Sequence, residues 1–436
     1  MNSEAFDAVS WLYGLRHLGV KLGLDNVRAL LDLLGRPERS FRSVLVGGTN
    51  GKGSVAAMLQ SMLVAHGMRT GLFTSPHLVR PNERIRVGEA DVSDDELHSG
   101  LAFVRSTIAS GRLAVHPSFF EVITGCAAHT FRERGVDAAV LEVGLGGRLD
   151  ATNAVEADVS VVVSIGFDHM ATLGPTLGDI AREKGGVIKR DRPVVNGVVQ
   201  QTALDALRSI ARERNAPWVE ARQRVRFESE AAGADAFTLS GRRRYPDLRL
   251  PLAGRHQIDN ARVAVAALET FADACGFVPD PAAVRDGLAR TRWPGRLQWI
   301  RSKTAADLLL DGAHNPAGAR ALARYLRDLP AAPWAVLGAM SGKDLDGVVE
   351  PIAPWIRGVT VTRPGVERAA PTDEIAAVAR RHLARVDVAD APADALDRAR
   401  SAAGRDGVVL VTGSLYLVGE VLGLLDGNPV PGPVPM

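Results

Sequence analysis

Residues 41–54 read Phe41-Arg42-Ser43-Val44-Leu45-Val46-Gly47-Gly48-Thr49-Asn50-Gly51-Lys52-Gly53-Ser54, and this stretch decides the fold. The run 41–46 is short and apolar, as a buried strand is, and residues 54–66 carry a helical apolar pattern. Strand, glycine turn and helix together open a parallel α/β sheet. The glycines accept unusual dihedrals and leave room for backbone N–H groups to converge on phosphate oxygens. The helix that follows offers its N-terminus to an anion, and Lys52 adds a point charge for the β- and γ-phosphates of a nucleotide. The spacing departs from the usual phosphate loop. Gly47 to Gly51 is one residue short, and Gly53 stands between Lys52 and Ser54.

Outward from this unit the same grammar recurs. Residues 137–143 form a strand-like run that ends in Gly144-Leu145-Gly146-Gly147, and residues 159–165 are nearly all β-branched, as in a strand covered on both faces. The first ~40 residues read as helical. Between 222 and 252 the texture changes to short alternating pieces cut by Gly and Pro, which predicts a small antiparallel sheet. Helical pattern returns over 260–274. Trp293-Pro294-Gly295-Arg296 breaks the chain as a linker would. Beyond it, strands are expected at 307–310, 334–337 and 408–411, each followed by a polar loop. The expected class is α/β: an N-terminal domain over 1–294 with a mostly parallel sheet and a small antiparallel one, a second α/β domain over 295–426, and a loose Pro- and Gly-rich tail over 427–436.

Bulk properties exclude several function classes. A chain of 436 residues exceeds what one core usually serves. The net charge of +2 gives no general electrostatic case for nucleic acid. Two cysteines, Cys126 and Cys275, rule out a disulfide framework and fit a reducing cytoplasm. The first residues lack the basic-then-apolar pattern of a signal peptide, and no apolar run approaches the ~20 residues that span a bilayer.

The unusual polar residues stand just after the apolar strands: Lys52, Glu142, Asp168-His169 and Asp311. Ligands of open parallel sheets bind outside the carboxyl ends of strands, so these residues are expected along one edge. A carboxylate at Glu142 is costly unless it meets a cation or donors. A magnesium ion bridging phosphates would satisfy it, and so would an ion pair with Arg148. On residue chemistry alone His169 reads as a hydrogen-bonding or capping residue, and Lys184 as a solvated helix lysine.

Taken together, the motifs resemble the folylpolyglutamate synthase/dihydrofolate synthase branch of the Mur ligase superfamily. Thr49-Asn50-Gly51-Lys52-Gly53-Ser54 is similar to its P-loop, with the glycine after the lysine. Thr74-Ser75-Pro76-His77-Leu78 and Asn82-Glu83-Arg84-Ile85 resemble its serine segment and omega loop. The run from Glu142 to Asn153, EVGLGGRLDATN, is the most specific match. Glu183-Lys184, His256-Gln257 with Asn260, Pro294-Gly295-Arg296, Asp311-Gly312-Ala313-His314-Asn315-Pro316 and Gly413-Ser414-Leu415-Tyr416 follow in the same order.

The resemblance implies an ATP-dependent amide ligase that adds L-glutamate to dihydropteroate or to a reduced folate. It implies an N-terminal ATPase domain, a C-terminal Rossmann-like domain and a site in the cleft between them. On it, Thr49 to Ser54, Asn260, Arg296 and Asp311 would contact ATP, and Ser75, Glu142 and His169 would hold magnesium. Two magnesium sites are implied, with room for a monovalent cation such as K+. Lys184 would be carbamylated, and Lys52, Lys184 and His314 would serve the chemistry, although His314 reads equally as a local hydrogen-bonding residue. Arg84, Ser118, Phe119, Phe120, Glu121, Leu149, Asp150 and Ala151 would form the pterin pocket; for the two phenylalanines core packing is an equal reading. The expected partners are these small molecules, with no nucleic acid and no membrane, for a cytoplasmic monomer. Two other readings stay open: a Mur ligase acting on a UDP-sugar peptide precursor, and a P-loop ATPase, kinase or nucleotide switch without ligation.

Overall fold

A computed structural model describes residues 7–19, 23–110, 113–230 and 236–427. The first six residues and all of the expected tail except Gly427 lie outside them.

Eight strands form the first sheet: β1 (Arg42–Gly47), β2 (Thr70–Phe73), β3 (Ile85–Val87), β4 (Ala90–Asp91), β5 (Ala138–Glu142), β6 (Val159–Val162), β7 (Val194–Asn196) and β8 (Trp218–Glu220). Their order is β4-β3-β2-β5-β1-β6-β7-β8. Every neighbouring pair is parallel except those involving β3. Strand β1 is buried on both faces, as its apolar run predicts. Leu45 joins one core with the helices Asp94–Ile108, Phe119–Glu133 and Gln201–Glu213, while Val44 and Val46 join another with Lys52–Ala65 and His256–Cys275. The order reverses at β1, with β5 on one side and β6 on the other. A crevice therefore opens at its carboxyl end.

The expected small sheet is present as β9 (Arg226–Glu230), β10 (Ala236–Ser240) and β11 (Arg244–Arg249), all antiparallel. Its anchor is Glu269 on the helix His256–Cys275. That carboxylate is fully buried and accepts from Arg224 Nε at 2.8 Å, Tyr245 Oη at 2.9 Å and the Arg242 amide at 2.7 Å. A Cβ on Gly241 would sit 2.3 Å from the same carboxylate, so the turn there has to be glycine.

The third sheet holds β12 (Gln298–Ile300), β13 (Asp307–Leu310), β14 (Trp334–Leu337), β15 (Gly358–Val361), β16 (Val386–Val388) and β17 (Val408–Thr412), in the order β12-β13-β17-β14-β15-β16. It is parallel but for β12, and apolar clusters with helices cover both faces. This is the second α/β unit expected after the break at 293–296. Among the described residues no helix is long and apolar enough to cross a membrane.

Glu269→Ala would leave a guanidinium, a phenol and an amide without their acceptor. The expected cost is about 3 kcal/mol, read as an earlier thermal transition, with Glu269→Gln intermediate. A melting curve that does not move would show that the small sheet is held by its apolar face alone.

Candidate active site

The glycine turn is closed against the end of β6 before any ligand is considered. The Thr49 amide donates to Ser164 O at 2.8 Å, and the Asn50 amide to Ser164 Oγ at 2.9 Å. Gly48 (φ 140°) passes so near that a Cβ would meet Ser164 backbone at 3.1 Å. Gly51 (φ 82°) is left-handed, with Asn260 Oδ1 only 2.6 Å from where a Cβ would stand. Thr49 and Asn50 thus spend their amides on shape. The amides of Lys52, Gly53 and Ser54 open the helix Lys52–Ala65 and have no intrahelical acceptor. A helix start of this kind can donate to an anion, and Lys52 Nζ curls back to Thr49 O at 3.3 Å.

Gly53 is glycine for a reason the sequence did not reveal. Its φ is unremarkable, yet a Cβ there would stand 2.4 Å from the indole of Trp293. The indole packs against the loop, and its Nε1 is buried with no acceptor among the described residues.

Beside the loop, Glu142 ends β5 and is buried. Burial pushes its carboxyl up, against the charges of Lys52, Arg296 and Arg84. Its Oε2 accepts the Ser75 amide at 3.1 Å, while Ser75 Oγ is buried with no partner. An ion pair between Glu142 and Arg148 does not occur. Arg148 points away and grips Glu183, at 2.9 Å. The loop EVGLGGR is glycine-rich because it packs on Glu183-Lys184-Gly185-Gly186: a Cβ on Gly147 would stand 2.7 Å from Lys184 O, and one on Gly186 2.3 Å from Arg148 Cβ.

Lys184 is not a solvated helix lysine. It is buried and donates to Gly48 O at 2.9 Å. Burial, then the charge of Lys52, brings its pKa down to about 7.

The two large sheets meet through amides and charges. Asn50 and Asn315 exchange side-chain hydrogen bonds at 3.1 and 3.0 Å, and Asn315 Nδ2 also reaches Asp168 Oδ2 at 3.0 Å. Lys343 forms an ion pair with Asp168, and His314 Nε2 lies 3.4 Å from the same carboxylate. Burial penalises the Asp168 anion, but the hydrogen bond and charge of His314, with Lys343 and His169, outweigh it and hold the carboxyl well below its usual range. His169 has left-handed backbone (φ 50°), and burial takes its pKa down to about 4, so it is a neutral imidazole. His314 holds Gly312 O at 2.8 Å through Nδ1. Asp311 accepts the amides of Leu297 and Ala313, both at 3.0 Å, with the half-buried Arg296 beside it.

The expected pterin residues are more dispersed. Ser118 and Glu121 form the capping box of the helix Phe119–Glu133, and Asn26 Nδ2 holds both Glu121 oxygens at 3.0 Å. Phe119 is buried and stacks on Tyr13 at 6.1 Å, with Arg84 over its ring at 5.1 Å. Phe120 is half-buried between Phe73 and Gly144. Asp150 and Ala151 are buried, and Asp150 accepts the amides of Leu145 and Thr152. Leu149 lines a separate cleft. Arg84 is fully buried; Nε donates to His77 Nδ1 at 2.8 Å and Nη2 has no partner.

Residues 123–268 match the Mur ligase middle domain, and 295–415 the glutamate ligase domain of Mur ligases. The dihydrofolate synthase/folylpolyglutamate synthase of Bacillus subtilis is 34% identical over 427 residues, which are 95% of this chain and 97% of that protein. The chain belongs to the dihydrofolate synthase/folylpolyglutamate synthase family. Membership gives the class of enzyme, an ATP-dependent ligase. The folylpolyglutamate synthase of Mycobacterium tuberculosis, solved with ADP, superposes with a TM-score of 0.88 at 34% identity, covering 97% of this chain and 100% of that one. The bifunctional synthase of Yersinia pestis, solved with AMPPNP and a manganese ion, gives 0.84 at 31%, covering 97% and 98%.

Sequence reasoning missed Ser164, Trp293, Lys343 and Asn315 as parts of this ligase site. Asn315 and Lys343 stand in polar loops after strands, the signal that marked Asp311 and Lys52. Ser164 and Trp293 carry no local signal.

Gly53→Ala should weaken nucleotide binding at least ~10-fold, because the new methyl displaces the indole or the loop. Adding Trp293→Ala should recover most of that loss in a nucleotide titration. A double variant as weak as Gly53→Ala would mean that something other than the indole forbids a side chain at 53.

Proposed function

We propose that this ligase joins L-glutamate to the carboxylate of dihydropteroate, of a reduced folate, or of both, through an acyl phosphate, with release of ADP and phosphate. The observation that carries it is the convergence of a phosphate loop, an acidic strand end at Glu142 and the Asp311–Asn315 loop of the second sheet on one cleft. We take the domains as 1–294 and 295–426, so that the site lies between them, and the working form as a cytoplasmic monomer. A bare ATPase, kinase or switch has no use for the second α/β unit and its Asp168–Asn315–Lys343 junction.

In the first step an acceptor carboxylate oxygen bonds to the γ-phosphorus and the bond to ADP breaks. This needs in-line positioning and cancelled charge rather than covalent help from the protein. The Lys52, Gly53 and Ser54 amides and the Lys52 ammonium hold the phosphates; Asn260, Arg296 and Asp311 take the rest of the nucleotide. In the second step the glutamate amine attacks the acyl carbon and phosphate leaves. The proton shed by the amine leaves with the phosphate, while His314, which donates to Gly312 O through Nδ1 and faces Asp168 through Nε2, positions this loop. Burial of the site keeps water from the acyl phosphate.

A divalent cation fits the residues present. Ser75 Oγ is an unpartnered buried oxygen next to the Glu142 carboxylate, a donor set suited to magnesium, with neutral His169 as the third candidate. Bound there, it would shield the phosphate charge. Among the described residues no group of three or more His, Cys, Asp or Glu side chains is arranged to hold a metal ion, so a second cation needs a further anion. Lys184 can become one. Its near-neutral amine can add to CO2, forming an N–C bond and releasing a proton, to give a carbamate. Above a pH of about 7 the amine is free to react; below it the proton blocks the addition.

Two measurements test this. Full turnover should give ADP, phosphate and amide in equal amounts, and Lys52→Ala should fold but lose turnover at least ~100-fold; AMP and pyrophosphate instead would end the acyl-phosphate route. Stripping bicarbonate above pH 7 should lower the rate and adding it back restore it. Isotope-labelled bicarbonate should give a carbamate NMR signal that Lys184→Ala abolishes; a rate indifferent to bicarbonate, with no such signal, would leave Lys184 as a plain amine.

A further inference from the structure

Where Arg148 and Leu149 end the EVGLGGRL run, beside Gly186 and Lys189, lies a concavity of about 480 Å³. Its wall carries five cations, Arg28, Arg148, Lys189, Arg190 and Arg214, against one carboxylate, Glu156. Two of the five are spent internally. Arg148 is paired with Glu183, and Arg214 Nη1 holds the Gly186 and Ile188 carbonyls. Lys189 is held in place but hardly neutralised. Its side chain is 7% exposed and donates to Asn153 O at 2.7 Å, while Glu156 reaches only 4.0 Å and is itself 77% exposed. Arg28 and Arg190 are exposed and carry no ion pair among the described residues. Burying an ammonium beside arginines is unfavourable unless an anion offsets it. Burial already takes the Lys189 pKa down to about 8, with Arg214 and Arg28 among the charges that lower it.

We propose that this cleft binds a multiply charged anion, with Arg28, Lys189 and Arg190 as its counter-charges. No residue of the phosphate loop takes part. Leu24 and Leu149 give it an apolar floor, and the forks of the two arginines suit carboxylate or phosphate oxygens alike. Two sources share that chemistry: a chain of phosphates, and a chain of γ-linked glutamates, the second resting on the ligase reading above. One atom separates them. Asn153 gives its amide protons to the carbonyls of Arg148 and Gly186, and its Oδ1 is buried without a donor. A glutamyl chain carries amide N–H groups between its carboxylates, whereas a polyphosphate carries none.

The test is calorimetric titration of the full chain, saturated with ADP so that the phosphate loop is filled, with tripolyphosphate in one arm and tri-γ-glutamate in the other. At least one should bind one-to-one. Arg28→Gln/Arg190→Gln should weaken it at least ~10-fold, while Arg327→Gln/Arg398→Gln, two exposed arginines elsewhere, should leave it unchanged. Binding of tri-γ-glutamate identifies the glutamyl source, and binding of tripolyphosphate alone the phosphate source. Binding of neither, or equal losses in both double variants, overturns the proposal. No turnover is needed, so failure of the ligase reading would show separately in the ADP and amide assay.

Discussion

Two carboxamides facing each other, Asn50 and Asn315, join the edge of one parallel sheet to the edge of another. Each stands where an α/β sheet places its ligand-binding residues, in the loop after a strand and before a helix. Neither is free to turn. The Asn50 amide is fixed by Ser164, and Asn315 caps the helix Pro316–Arg327 through Oδ1 to Gly318. The spare proton of Asn315 then falls on Asp168. Three strand ends, of β1, β6 and β13, are thereby brought within hydrogen-bond reach of one another. Without this junction the phosphate loop and the Asp311 loop would serve two separate crevices.

The charges around the junction follow from it. Carboxylates whose burial outweighs their donors are pushed toward their neutral forms, as at Glu142, Asp150 and Asp311. Asp168 goes the other way because His314, Lys343 and Asn315 all turn to it across the junction. The cations are the less satisfied partners. Among the described residues Lys52 has only a carbonyl at 3.3 Å, Lys184 only the Gly48 carbonyl, and Arg84 keeps one buried nitrogen without an acceptor. A site arranged in this way gains most from a ligand that brings negative charge. A nucleotide triphosphate beside an acceptor carboxylate is such a ligand.

Much of this was legible before the structure. Apolar runs placed β1, β5, β13, β14 and β17 to within a residue, the run read at 159–165 overshot β6, and the change of texture after 222 marked the small sheet. What stayed hidden depends on contacts distant in sequence. An ion pair between Glu142 and Arg148 was one reading of the sequence, beside a magnesium ion, but Arg148 pairs with Glu183, distant in sequence. Lys184 sits in a helix of ordinary polarity, and only the packing of Gly147 on its carbonyl shows that it is buried. Ser118 and Glu121 carry a signal that is purely local. Their spacing is a capping-box signature that the sequence displays openly, and the structure commits both to that cap.

The departure of the glycine loop from the usual pattern has a mechanical meaning. Trp293 fills the volume that a side chain at 53 would take, and the chain runs directly on through Pro294 and Gly295 to Arg296. Gly295 (φ 71°) is fixed on both sides: its amide donates to Gln298 Oε1 at 2.9 Å and its carbonyl accepts the Gly312 amide at 3.0 Å. Arg296, one residue further, lies among Glu142 and Asp311. The connection between the two sheets is therefore not a free tether. It starts on the glycine loop at Trp293 and ends among the charges of the cleft at Arg296, three residues on. Anything that moves the loop at Gly53 must move the indole, and the indole can yield only by shifting the segment that carries Arg296. A glycine after the lysine is thus what lets the phosphate loop and the interdomain connection form one mechanical unit.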